Sequence, residues 1–171
     1  VTTSKLLPGS SLVEGQHQLD AILHRLGLST LDNLAVHGIN RHEHLEWALS
    51  GDGAQLLEWA LSSGRVTQLG FSSHGTNALI EQALRSQRFD FCSLHLHLFD
   101  PQRLPLAQWA LENGIGVMAI SPADKGGRLQ APSPTLKADC RPIDPPVLAY
   151  RFPLAPGIST LTPGPPSSHH P

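Results

Sequence analysis

Short β-prone runs alternate along the chain with longer stretches whose apolar residues recur every three or four positions, and each short run stops at a polar residue. Val1-Thr2-Thr3-Ser4 leads to Lys5, Leu31 to Val36 leads to His37, and Val66 to Phe71 leads to Ser72-Ser73-His74. Phe89 to Leu96 leads to His97, and Ile115 to Ile120 leads to Ser121. Between the first two runs, Leu19, Ile22, Leu23 and Leu26 stand at i, i+3, i+4 and i+7, one face of an amphipathic helix. Gly27 is its expected C-terminal cap. Further helices are expected over Leu45 to Leu61 (interrupted at Gly51-Asp52-Gly53 and closed by Gly64), Ala78 to Leu84, Leu104 to Leu111 and Pro146 to Phe152. Ile158 to Leu161 is the last candidate strand.

The order is βα repeated five times and then β, which right-handed crossovers turn into a parallel sheet with helices outside. The expected fold class is therefore α/β, an incomplete (β/α)8 TIM barrel of about six parallel strands. A closed barrel needs at least roughly 200 residues, and this chain has 171 and starts inside a strand, so it reads as a piece of something larger. Residues 1–164 are expected to form this partial barrel. The Pro-rich segment Gly126 to Pro146 reads as one long loop. The Pro163 to Pro171 stretch lacks a core pattern, and 165–171 are expected to be a disordered tail.

Composition narrows the function classes. A hydrophobic content of 40% suits a globular domain, and a formal net charge of −2 gives no electrostatic case for nucleic acid or an anionic membrane. No apolar run approaches the roughly 20 residues of a membrane span, and no signal-peptide pattern opens the sequence. Cys92 lies in an apolar run and Cys140 in a polar one, without a CxxC, which reads as two free thiols. A cytoplasmic location is the default expectation.

In a β/α barrel the chemistry sits where strands end. Lys5 there either reaches solvent or lies against a polar group whose pKa it lowers. His37, before Gly38-Ile39-Asn40, suits a proton-transfer or hydrogen-bonding role, or a structural one. Ser72 and Ser73 suit an amide or phosphate ligand, or the capping of a helix starting near Thr76. His95 and His97 share one side of a strand, as metal ligands do. His42 and His44, in a presumed loop, form a second H-x-H, but no carboxylate pattern completes a cluster, and no metal site is assigned. Ser121-Pro122-Ala123-Asp124-Lys125-Gly126-Gly127 offers backbone amides and a cation to a phosphate, as many flexible turns do.

With these residues in view, the chain resembles part of an aldo/keto reductase. Arg25 to Gly38 (RLGLSTLDNLAVHG) is similar to the family's RLGxDYLDLxxLH, and Gly64 to His74 (GRVTQLGFSSH) to its GKIRxIGxSN. Gly114 to Gly127 (GIGVMAISPADKGG) is similar to its GIGVxAxSPL, most of all in the subgroup with SPxDKGG. The resemblance covers roughly Val1 to Gly164, with the strand at Val1 as the family's third. It implies a (β/α)8 barrel that binds NADPH and reduces a small-molecule aldehyde or ketone.

On that resemblance Lys5 and His37 match the lysine and histidine of the catalytic tetrad. Ser72, Ser73 and Ser93 fall where the nicotinamide is held, and Ser121, Pro122 and Ala123 where the backbone meets the pyrophosphate. The departures are equally specific. Ser73 stands for an asparagine, Ser93 for a glutamine, and Leu96 for a stacking aromatic residue. The tetrad aspartate and tyrosine belong to strands that precede Lys5 in the family, and Tyr150, the only tyrosine, lies far after it. The expected function is that of an NAD(P)H-dependent carbonyl reductase, inactive as this chain. The alternatives are a non-catalytic barrel fragment that binds a nucleotide or partner and self-associates through exposed strand edges, or a metal hydrolase built on His95 and His97.

Overall fold

A computed structural model of the chain describes residues 1–124, 129–158 and 160–162. The expected tail at 165–171 lies outside them. The elements run β1 (Thr3–Leu6), α1 (Leu12–Leu26), β2 (Leu31–Val36), α2 (His42–Leu49), α3 (Gly51–Ser62), β3 (Val66–Ser73) and α4 (Asn77–Arg85). There follow β4 (Phe91–His95), a short 3-10 turn at Pro101–Arg103, α5 (Leu104–Glu112), β5 (Gly116–Ile120), α6 (Pro134–Asp139), α7 (Pro145–Leu154) and β6 (Thr160–Thr162). The six strands form one sheet in chain order, parallel throughout, which is the architecture of an incomplete (β/α)8 barrel.

The register places the strand-end residues. Lys5 pairs with Ala35, and Ala35 with Gly70, so these three stand in one row across β1, β2 and β3. Ser72 follows two residues later on β3, on the same face, and His37 comes directly after the last residue of β2. The opposite face carries Leu6, Leu34, Val36, Leu69 and Phe71, all buried. That face is the apolar layer under the helices, fed from α1 by Leu19, Ile22 and Leu23.

By contact density the chain divides into two compact units. The first holds Val1–Ser93 with Asn113–Gly116, and so contains β1 to β3, α1 to α4 and the start of β4. Its helix α1 packs on α3 through Gly15, whose missing side chain leaves room for Leu56. On β3, Gly70 does the same for the ring of Phe91. The second holds Leu94–Glu112 and Val117–Pro171. Within it Ala123, Leu129 and Ala149 form a small buried cluster, with Leu136 and Tyr150 against it.

Several elements differ from the sequence reading, each for a local reason. Helix α1 starts at Leu12 rather than Leu19, because Ser11 and Glu14 close a capping box: Glu14 N–H donates to Ser11 Oγ, and Ser11 N–H to the Glu14 carboxylate. The helical stretch after His37 is two helices that meet at Ser50, whose extended backbone (φ −144°) breaks the first. His42 and His44 lie on α2, not in a loop. The expected long loop from 126 to 146 carries α6, capped by Ser133 and opened by Pro134 at a position where its missing N–H costs nothing. Strand β4 runs from Phe91 to His95, inside the expected Phe89 to Leu96.

The two thiols are free. Burial pushes Cys92 up to about 12, which leaves it protonated and inert. Among the described residues no helix is long and apolar enough to cross a membrane.

Candidate active site

In the first unit, the chain leaves β2 at His37 through Gly38, whose φ of +76° suits glycine, and turns across the end of β3. The serines of β3 hold that turn. Gly38 N–H donates to Ser72 Oγ (3.0 Å), and Ile39 N–H donates to the Ser72 carbonyl (2.8 Å). Ser73 Oγ donates to the Ile39 carbonyl and accepts from Gly75 N–H at 3.0 Å. Helix α4 is capped by Thr76 itself, so neither serine serves as the cap. Their hydroxyls shape the rim, and both are buried.

His37 is exposed, and its Nδ1 stands 3.5 Å from Ser72 Oγ. It lines a hollow of about 340 Å³ with Leu7, Pro8, Asn40, His44, Ser72 and His74. Two residues to which the sequence reading gave no role at this rim, Asn40 and His44, organise the hollow. Asn40 Oδ1 accepts from His74 N–H at 2.7 Å and ties the β2 exit to the β3 exit. His44 reaches back from α2, its Nδ1 2.8 Å from the Gly38 carbonyl, while Arg41 Nε and Nη2 donate to its Nε2 at 3.2 and 3.0 Å. The i, i+4 spacing of Asn40 and His44 was the available sequence signal.

Lys5 is placed less simply. It shares the Ser72 face by register, but β1 is the edge of the sheet, and Lys5 lines a separate groove of about 300 Å³ with Gln18 and Arg25 of α1. The structure thus brings His37 and Ser72 together and puts Lys5 one strand away in a hollow of its own. Ser93 is buried on β4 in the same unit.

In the second unit, β5 exits at Ser121 into a tight turn through Pro122 and Ala123 to Asp124, closed by Asp124 N–H to the Ser121 carbonyl at 3.1 Å. Ser121 (φ 54°) and Asp124 (φ 64°) are both left-handed, a conformation that costs a residue with a side chain about 1–2 kcal/mol. Leu129 N–H donates to the Ala123 carbonyl at 3.2 Å, and Ala123 is buried among Leu129 and Ala149, so packing holds the strained turn in place. Of the phosphate-binding signal read in the sequence, Lys125, Gly126 and Gly127 lie outside the described residues. Tyr150 packs on the same cluster from α7.

His95 and His97 come together as expected from their spacing, with ring centroids 4.8 Å apart. Asp100 joins them, which no spacing in the sequence announced.

The aldo/keto reductase family model matches residues 9–140. No curated protein matches the sequence. Solved structures with the same fold include an aldo-keto reductase of Bacillus halodurans in its holo form, 16% identical with a TM-score of 0.79 over 96% of this chain and 62% of that one. An aldo-keto reductase from a Medee basin deep-sea metagenome library is 18% identical, with a TM-score of 0.73 over 95% of this chain and 59% of that one. An aldose reductase of Giardia lamblia is 21% identical, with a TM-score of 0.67 over 94% and 61%. The chain spans about three fifths of the length of each of these structures.

Proposed function

Because the chain belongs to the aldo/keto reductase family, we propose that it is the NADPH-binding part of a carbonyl reductase, which binds the cofactor and does not by itself turn over. The observation that carries this reading is the rim of the first unit, where His37 stands beside Ser72 over a hollow of a size suited to a small carbonyl compound.

The residues present fit the cofactor in part. The strained Ser121–Asp124 turn, held by a dedicated packing cluster, suits a pyrophosphate. On the family resemblance Ser72, Ser73 and Ser93 of the first unit are the side chains for the nicotinamide amide, with the Ser73 hydroxyl already donating to the Ile39 carbonyl and accepting from Gly75 N–H. NADPH, when bound, supplies the hydride.

The work of the chain's own residues is to bind and orient. The exposed imidazole of His37 offers a hydrogen bond to a carbonyl oxygen, and Ser72 limits its ring rotation from behind. Asn40 and His44 fix the loop that carries it. Lys5, one strand away in its own groove, is the family's tetrad lysine on the resemblance. Tyr150 packs on the second unit's cluster and is given no part in proton donation.

The test is a titration of the full chain with NADPH, followed through the fluorescence of Trp47, Trp59 and Trp109, together with an assay of NADPH oxidation with a simple aldehyde. Saturable quenching without aldehyde-dependent oxidation is the expected result. Absence of binding overturns the reading, and so does aldehyde-dependent oxidation that Lys5→Met abolishes.

A further inference from the structure

We infer that the second unit carries a binding site for a divalent transition-metal ion, formed by His95, His97 and Asp100 with Asp124 beside them. The site is built by chain geometry alone. His95 ends β4, and His97 follows at i+2, on the same side. The backbone then reverses at once: Asp100 N–H donates to the His97 carbonyl at 3.0 Å, and the two residues form an isolated antiparallel bridge. That tight reversal returns a carboxylate to the pair of imidazoles.

One ligand atom from each of His95, His97 and Asp100 lies within 4.8 Å of the others. Four-coordinate zinc, with metal–ligand distances of about 2.0–2.2 Å, needs its ligands about 3.3–3.5 Å apart. Shifts of about an ångström at the ligand atoms would bring them to that spacing.

A second observation points the same way. His97 is only 7% exposed, and its Nδ1 is buried with no hydrogen-bond partner among the described residues. Its Nε2 stands 3.8 Å from Asp124 Oδ1, too far for a hydrogen bond. A buried ring nitrogen without a partner carries a desolvation penalty, and a cation coordinated there removes it. The ligand chemistry selects the ion: two imidazoles and a carboxylate favour zinc, nickel, cobalt or copper over calcium or magnesium, which prefer all-oxygen sets. Asp124 is placed to complete the coordination or to accept a hydrogen bond from His97.

The His95, His97 and Asp100 set takes no part in the cofactor reading, which shares only Asp124 with it, so the test uses metal alone on the full chain. Zinc binding is measured by titration calorimetry, and cobalt is substituted to read coordination from its visible absorption. One equivalent should bind, and His97→Ala and Asp100→Asn should each weaken binding by about tenfold or more and alter the cobalt spectrum. His169→Ala with His170→Ala, which removes the adjacent histidine pair near the C-terminus, should leave that equivalent unchanged. Circular dichroism checks each variant, and Asp100→Asn, which keeps the side-chain shape, decides the matter if His97→Ala does not fold. Binding that survives both ligand substitutions, or that disappears with the terminal histidines, overturns the proposal and leaves His95 and His97 as a packed structural pair.

Discussion

Ser121 shows what a single residue in this chain can and cannot reveal. It was legible as a strand-end residue in a block resembling a cofactor loop, but its left-handed φ of 54° was not, because serine carries no signature of that conformation. A β-branched side chain is penalised there and glycine is not. Ser121→Val is therefore expected to weaken NADPH binding about tenfold, from a strain of about 1–2 kcal/mol, while Ser121→Gly binds as the parent does. Fluorescence titration of the three proteins checks this, and equal affinities would remove the turn from the cofactor's path. The serines of β3 carry the opposite lesson. Residue type pointed to Ser73 as a ligand contact, yet its hydroxyl joins the Ile39 carbonyl to Gly75 N–H. Gly75 is two residues on, but Ile39 lies on another loop, and no local pattern announces a bond across 34 residues.

Elements were legible where their own sequence determines them. The β2 and β3 strands start where the apolar runs do, because their buried face reads directly as hydrophobic residues. Helix α1 was placed too late because its first turn is set by Ser11 and Glu14, not by the apolar stripe. That cap makes the element sensitive to acid. The Ser11 backbone N–H, and then its hydroxyl, hold the Glu14 carboxyl below its ordinary value. The Thr2 N–H and hydroxyl act likewise on Asp32, which joins β1 to β2. Groups with lowered folded pKa values contribute stability above their unfolded pKa, about 4.3 for glutamate and 3.9 for aspartate, and lose it as pH falls through the folded value. Both carboxylates are exposed, so solvent screening keeps the effect small. Glu14→Gln should lower the melting temperature near neutral pH and reduce its further fall on acidification below about pH 4.3. An acid limb identical to that of the parent would show that the box does not act in this way.

The molecule as a whole has an edge whose chemistry follows from its register. Asn33 N–H donates to the Thr2 carbonyl and His37 N–H to the Leu6 carbonyl, so the even-numbered residues of β1 bond to β2. The backbone groups of Thr3 and Lys5 therefore point the other way, where no strand pairs among the described residues. The alternation of strands and helices was legible from the sequence at this scale, and so was the prospect of open edges. Which backbone groups they present was not, since register depends on the pairing partner. An unpaired parallel edge is a template for another chain, and Thr3 N–H is a donor it offers. Thr3→Pro removes that donor without touching the ladder to β2, because proline is tolerated where a strand's N–H faces away from the sheet. The parent chain is expected to associate with rising concentration in sedimentation velocity, and Thr3→Pro to shift it towards the monomer with its circular dichroism unchanged. A parent that stays monomeric, or a variant that associates equally, would mean that the edge of β1 recruits no second chain.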